Sequence, residues 1–321
     1  MDRVFVNGLV KSKEKYLLPF SSFIRSAESE SFTDAVKILK ENGFGFEGEV
    51  SPSEYEAFVS YEWDKFFDFF KKYSPFEWFT KAFTAKFDFF NAEYAVREVF
   101  ASAGEDGYME EGIVKISDLK SYAKDGKAEI PEYLKTPIDL SKKEFTENTA
   151  TGKSIAVIFK RAYCKFMLKT VKSKDYKEFI FHEIDALNLS VALRSKTEKE
   201  AKEQFIEGGK ISEKTLLKIV KGEGEKAVYD LKRTEYGELL LKGLSEKKEG
   251  KALTGFERKA DDFAMDKLKE KRFESEGITP LLLYCYYKLA EIKNARIVLA
   301  AKASGIGKEE IVRRLRSGYA G

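Results

Sequence analysis

The sequence predicts an all-α protein, and three observations carry that prediction. Only six prolines interrupt 321 residues. Apolar residues recur at three- and four-residue spacing along most of the chain, the period of one helical face. The two-residue alternation of half-buried strands is almost absent.

Along the chain, the first long helix is expected in "SPSEYEAFVSYEWDKFFDFFKKY". Ser51 there reads as the N-cap, Pro52 as the first helical residue and Glu54 as the other half of a capping box. "SPFEWFTKAFTAKFDFFN" repeats the device with Ser74, Pro75 and Glu77. Its aromatics at Phe76, Phe79, Phe83, Phe87 and Phe90 form a stripe read as helix-helix packing rather than as a membrane or base-stacking face. Ser141 and Glu144 predict a further cap. Gly and charge clusters place loops at 101–112, 221–226 and 245–250. The closing "RRLRS" reads as a solvated, dipole-complementing helix end.

One pattern occurs three times. Asp88 and Asn91 lie three apart in "FDFFNAEYAVRE", Asp185 and Asn188 in "FHEIDALNLSVALRSK", and Glu291 and Asn294 in "LAEIKNARIVLAAKASG". The asparagines are 97 and 106 residues apart. Arg97 and Arg194 follow their asparagines by six residues, and Arg296 follows by two. "GKISEKTLLKIV" and "SGIGKEEIVRRL" then form a second matched unit, with a looser version in "EGIVKISDLKSYA". A period near 100 is too long for a solenoid. It predicts three similar helical domains, placed at 1–124, 125–220 and 221–321, in a pseudo-threefold arrangement.

A helical wheel assigns these residues to packing. With each asparagine at 0°, its acid lies at about 60° and the residue four later at about 40°. That residue is Ala95, Ala192 or Val298, small enough to admit a neighbouring helix. The asparagine therefore sits in an apolar stripe and needs a hydrogen-bond partner, such as a nearby backbone segment. The arginines project from other faces. All nine residues are expected to be structural determinants, not a ligand site.

Composition narrows the function. The 57 basic and 54 acidic residues are interspersed and leave a net charge of +3, so nucleic acid is not an expected partner. Cys164 and Cys285 stand alone without zinc-site or disulfide spacing, which fits a reducing cytoplasm. "MDRVFVNGLV" lacks the basic start and long apolar core of a secretory leader, and no apolar run is long enough to span a bilayer. His182 is the only histidine, which leaves no multi-His metal site and reads as an ordinary packed or surface residue. "ATGKSIAV" (150–157) mimics the end of a P-loop, but Glu147 stands where the motif needs Gly and the flanks look helical. No catalytic, cofactor or metal site is expected.

The signature residues also carry a resemblance. "EIKNARIVLAAKASGIGKEEIVRRLRS" (291–317) resembles the C-terminal signature of the C subunit of the V-type and A-type rotary ATPases, called the d subunit in eukaryotic vacuolar enzymes. "FVNGLVKSKEKYLL" (5–18) is similar to that family's opening, with Phe5 for its usual Tyr, Gly8 for Ala and Lys11 for Arg. "KFDFFNAEYAVRE" and "DALNLSVALRSK" match its first and second repeats. The resemblance implies a funnel of three similar helical domains and no catalytic activity. It further implies a cytoplasmic, membrane-peripheral place between the central-shaft subunits and the membrane proteolipid ring, passing torque between them. The alternative is a helical scaffold for an unrelated protein, and a carboxylate-dependent enzyme is a more distant third.

Overall fold

The structure is a computed structural model that describes residues 2–104, 107–109, 111–316 and 318. Among them the chain forms sixteen α-helices and no strand. The first four are α1 (Arg3–Glu14), α2 (Phe20–Glu28), α3 (Phe32–Glu41) and α4 (Tyr55–Tyr73). Then come α5 (Glu77–Ala101), α6 (Ile116–Asp125), α7 (Glu132–Thr146) and α8 (Gly152–Thr170). Next are α9 (Lys174–Arg194), α10 (Glu198–Lys202), α11 (Glu213–Val220), α12 (Gly224–Leu231) and α13 (Tyr236–Lys248). The last are α14 (Thr254–Lys269), α15 (Thr279–Ala303) and α16 (Lys308–Arg314).

The helices sort into two compact units. The first contains residues 1–76 together with 265–321, and the second is the continuous stretch 77–264. In the first, α15 packs against α1, α2, α3 and α4. In the second, α5 packs against α6, α7 and α8, while α9 packs against α11 and α13. The contacts are apolar. Phe89, Ala92 and Val96 of α5 meet Leu119, Leu134 and Phe159, and Leu189 and Leu193 of α9 meet Leu216, Ile219 and Leu240. Each of the larger side chains among them contributes roughly 1.5–3 kcal/mol by leaving water.

Several expected details differ. Residues 51–54 form a turn ahead of α4, not its first turn. The Glu54 carboxylate accepts from the Ser51 N–H and hydroxyl, while Glu54 itself is non-helical at φ −107° and ψ 4°. Ser74 caps the C-terminus of α4 through its N–H on the Phe70 carbonyl, so α5 begins only at Glu77. Ser141 lies inside α7, where its hydroxyl donates back to the Pro137 carbonyl at 2.8 Å. Helix α13 continues to Lys248 and α12 starts at Gly224, so two of the expected loops are shorter. The loop expected at 101–112 opens at Ser102, and Glu105, Asp106 and Glu110 within it fall outside the described residues.

The aromatic stripe on α5 also needs one correction. Phe79, Phe83 and Phe87 are buried and Phe76 is half-buried, but Phe90 is exposed with its ring stacked on Tyr94. The buried line advances in steps of four, from 79 to 83 to 87, and therefore arrives at Asn91. No helix among the described residues is long and apolar enough to cross a membrane.

Candidate functional site

Asp88 and Asn91 are buried on α5 and hold one loop by its backbone. Asn91 Nδ2 donates to the Met109 carbonyl at 2.7 Å, and the Met109 N–H donates to Asn91 Oδ1 at 2.8 Å. A single amide thus satisfies both polar groups of one residue, as a strand neighbour would. Asp88 Oδ1 accepts the N–H groups of Ile113 and Val114 at 2.8 and 3.0 Å, and Oδ2 accepts the Tyr133 hydroxyl at 3.1 Å. Burial pushes the Asp88 carboxyl above its ordinary range, and those three donors draw it part of the way back.

Asp185 and Asn188 on α9 make the same clamp at the same offsets. Asn188 exchanges hydrogen bonds with the Ile206 carbonyl and N–H, both at 2.8 Å, eighteen residues on as before. Asp185 accepts from Lys210 and Ile211, again twenty-five and twenty-six residues on, at 3.0 Å each. The Tyr236 hydroxyl bonds the same carboxylate, whose pKa burial raises. A glycine precedes each clamped pair. A Cβ at Gly112 would lie 2.9 Å from Asp88 Oδ1, and one at Gly209 would lie 2.2 Å from Asp185 Oδ1, so only glycine lets the loop reach the acid.

Glu291 and Asn294 on α15 keep half of the pattern. Asn294 exchanges two 2.9 Å bonds with the carbonyl and N–H of Arg316. Glu291 does not turn to a downstream loop. Its Oε2 accepts the N–H of Leu18 at 2.7 Å, and its Oε1 accepts from the Lys288 ammonium. Lys288 also donates to Glu62 Oε2 on α4 at 2.7 Å, while Glu62 Oε1 accepts from Gly45 N–H and Lys65. Two carboxylates thus share one buried ammonium. Burial dominates at Glu291 and raises its pKa. At Glu62 burial is outweighed by the combined pull of Lys288 and Lys65, so that carboxyl is lowered. The two acids together outweigh desolvation at Lys288 and raise its pKa.

The three arginines are not brought to these clamps. Arg97 bonds Glu93 and the Gly152 carbonyl at the start of α8, Arg194 bonds Ser190 and Glu257, and Arg296 bonds Glu56 on α4. Each ties its long helix to another helix at a partly exposed position, where such pairs contribute about 0–1 kcal/mol.

Sequence reasoning missed Tyr133, Tyr236, Glu62, Lys288 and a further buried amide. Asn7 donates to the carbonyls of Glu274, Ser275 and Gly277 at 2.9–3.3 Å, which anchors α1 on the segment before α15. One available signal was the Lys288–Glu291 spacing of three within a helix. The P-loop-like stretch is a helix start, with Thr151 and Ser154 in a capping box and Lys153 paired with Glu200. His182 is packed, stacked on Tyr236 with Nε2 on the Ala260 carbonyl, and burial lowers its pKa.

Every carboxylate and amide in these clamps already meets a hydrogen-bond partner within the chain, a constellation suited to holding loops rather than to chemistry. Comparison with known proteins agrees. The sequence profile of the ATP synthase (C/AC39) subunit family matches residues 6–314. The chain belongs to that family. It is similar to the C subunit of the V-type sodium ATPase of Enterococcus hirae, 23% identical with 98% of each chain covered. It is also similar to the C subunit of the A-type ATP synthase of Methanocaldococcus jannaschii, 25% identical over 96% of this chain and 84% of the relative. A shorter match, 28% identical over 44% of this chain and 41% of the relative, joins it to the corresponding A-type ATP synthase protein of Haloferax volcanii. Membership makes the chain a structural stalk subunit of a V/A-type ATPase rather than a catalytic one, associated with other ATPase subunits.

Two sets of variants probe the clamps of this C/AC39 family member. In Asp88→Asn the remaining oxygen can serve both N–H groups and the new amide can face the Tyr133 oxygen, so the loss should stay below about 1 kcal/mol. In Asp185→Asn each oxygen has its own N–H partner, so one donor would face another, at a cost of about 1–3 kcal/mol. Urea unfolding of the two variants checks the difference. The second case is Lys288→Met, which leaves two buried carboxylates without their ammonium and should cost about 3–5 kcal/mol near pH 7. Lys288 has a raised pKa, so its contribution is complete below the ordinary lysine value and is lost only as pH rises through the raised one. Removing it pushes both acids up, so the deficit should shrink as pH falls through the carboxyl range. A deficit independent of pH between about 4 and 7 would contradict this electrostatic account.

Proposed function

We propose that this chain is the non-catalytic central-stalk rotor subunit of a V/A-type rotary ATPase. It would link the central shaft to the membrane proteolipid ring at the cytoplasmic face and transmit torque for ATP-coupled proton or sodium transport. The observation that carries this reading is the family match along residues 6–314, together with the V-type sodium ATPase relative aligned over 98% of both chains. A torque-bearing part must return to one shape under load. Buried, fully satisfied polar contacts favour such uniqueness, because each alternative packing strands a donor or an acceptor. The clamps at Asn91, Asn188 and Asn294 act in this way on loops that would otherwise be the softest parts of the molecule. We also propose that these signatures head three similar helical domains.

Reconstitution tests the reading. Both native thiols are buried, with Cys164 pushed up to about 12 and Cys285 raised well above the usual thiol range. A dye on Tyr229→Cys, at an exposed position, would therefore report one site. The labelled protein, mixed with purified shaft subunits and with detergent-solubilised ring, should co-migrate with each. Binding to neither would sink the proposal and leave a scaffold for another protein.

A further inference from the structure

We infer that His182 is a proton-sensitive pin for helix α14. With a neutral ring it fastens α14 to α9, and with a second ring proton it lets go, so that the middle of α14 opens more readily in acid.

The geometry decides which nitrogen is the basic one. His182 Nε2 lies 3.2 Å from the Ala260 carbonyl of α14. A carbonyl only accepts, so Nε2 carries the hydrogen and Nδ1 is the bare atom. Nδ1 is buried and meets no hydrogen-bond partner. The ring has two aromatic neighbours. It stacks on Tyr236 of α13, with centroids 5.4 Å and planes 15° apart, and the Phe263 ring of α14 lies 4.4 Å away. Only 5% of the residue is exposed. A proton taken up at Nδ1 therefore creates a donor and a positive charge where no acceptor meets them and water is shut out. Moving α14 aside relieves that cost.

Groups that favour a charged ring are present but insufficient. On α9 itself Asp185 is near, although its oxygens already accept from Lys210, Ile211 and Tyr236. Glu235 stands at the start of α13. From α14 comes the Ala260 carbonyl, while Glu257 and Lys259 are paired with Arg194 and Glu238, and Asp261 bears on Glu183. The stacked face of Tyr236 adds a weak attraction. Burial prevails, and it holds the imidazole below its ordinary range.

Release is local. The first turn of α14 has anchors of its own, because Glu246 accepts the N–H groups of Gly255 and Phe256 at 3.0 Å each and the Phe256 side chain is buried in the apolar cluster around α9. The next turn is held at His182 through Ala260 and Phe263. Opening returns the ring to water and to its ordinary pKa of 6.5. The closed state has the lower pKa, so opening is independent of pH well above the ordinary value. It becomes easier as pH falls through that value toward the lowered one.

His182 is the only histidine, so imidazole signals in NMR spectra of the intact protein report it alone. Its titration midpoint in the folded chain should lie below that of the same chain unfolded in urea. Hydrogen exchange at residues 261–264, corrected for the intrinsic rate of each amide, should show opening that rises up to about tenfold between about pH 7.5 and 5.5. In His182→Gln, which can keep a donor to Ala260 but has no titrating ring, that rise should vanish. A folded midpoint at or above the unfolded one, or an equal rise in His182→Gln, would overturn the inference. If the variant does not fold, the native chain decides: exchange at 261–264 must quicken below the unfolded midpoint, and exchange that stays flat there contradicts the pin.

Discussion

A buried carboxylate or amide without a partner costs about 1–3 kcal/mol, and backbone groups of a loop carry the same penalty when covered. The structure meets both costs with one device. A long, largely buried helix carries an acid and an asparagine on neighbouring faces, and the segments they hold supply backbone partners. The small residue one turn beyond each asparagine is fully buried, at Ala95, Ala192 and Val298, so another helix closes over the clamp and keeps water out. The low local dielectric then makes these hydrogen bonds strong and their loss expensive.

That arrangement suits a protein that bears load. Loops are normally where a helical bundle yields first. Here the loops after α5 and α9 are fastened at two points, four or five residues apart, and cannot shift without stranding donors in an apolar setting. Around α15 the fastening is ionic as well, with Glu62, Lys288 and Glu291 joining α4 to α15. Such a buried triad adds little net stability over an apolar replacement. Its contribution is to geometry, since few arrangements satisfy two carboxylates with one ammonium.

Much of this was legible in the sequence. Helical period and scarce proline indicate the fold class, and the recurrence of acid-x-x-Asn indicates that these residues belong to architecture rather than to chemistry. The clamped partners were not legible, because the atoms concerned are backbone. Met109, Ile206 and Arg316 share no side-chain feature, and only a common offset, visible in coordinates, relates the first two. The Glu62–Lys288 pair spans 226 residues and leaves no local trace. The helix starts expected at Ser51 and Ser74 fail for other reasons: at Ser51 the Ser-Pro-x-Glu pattern builds the turn that leads into α4, and Ser74 ends α4 instead of opening α5. Phe90 was misplaced because steps of three and four fit one face equally well, and only packing chooses between them.

The central claim is that the signature asparagines hold the fold by their amides. Asn188→Leu tests it most directly, since leucine has similar bulk and suits an apolar stripe but cannot bond the Ile206 backbone. Compared with Lys247→Ala at an exposed position, it should lower stability by about 1–3 kcal/mol, with a correspondingly lower melting temperature. Equal melting temperatures for the two variants would contradict the account.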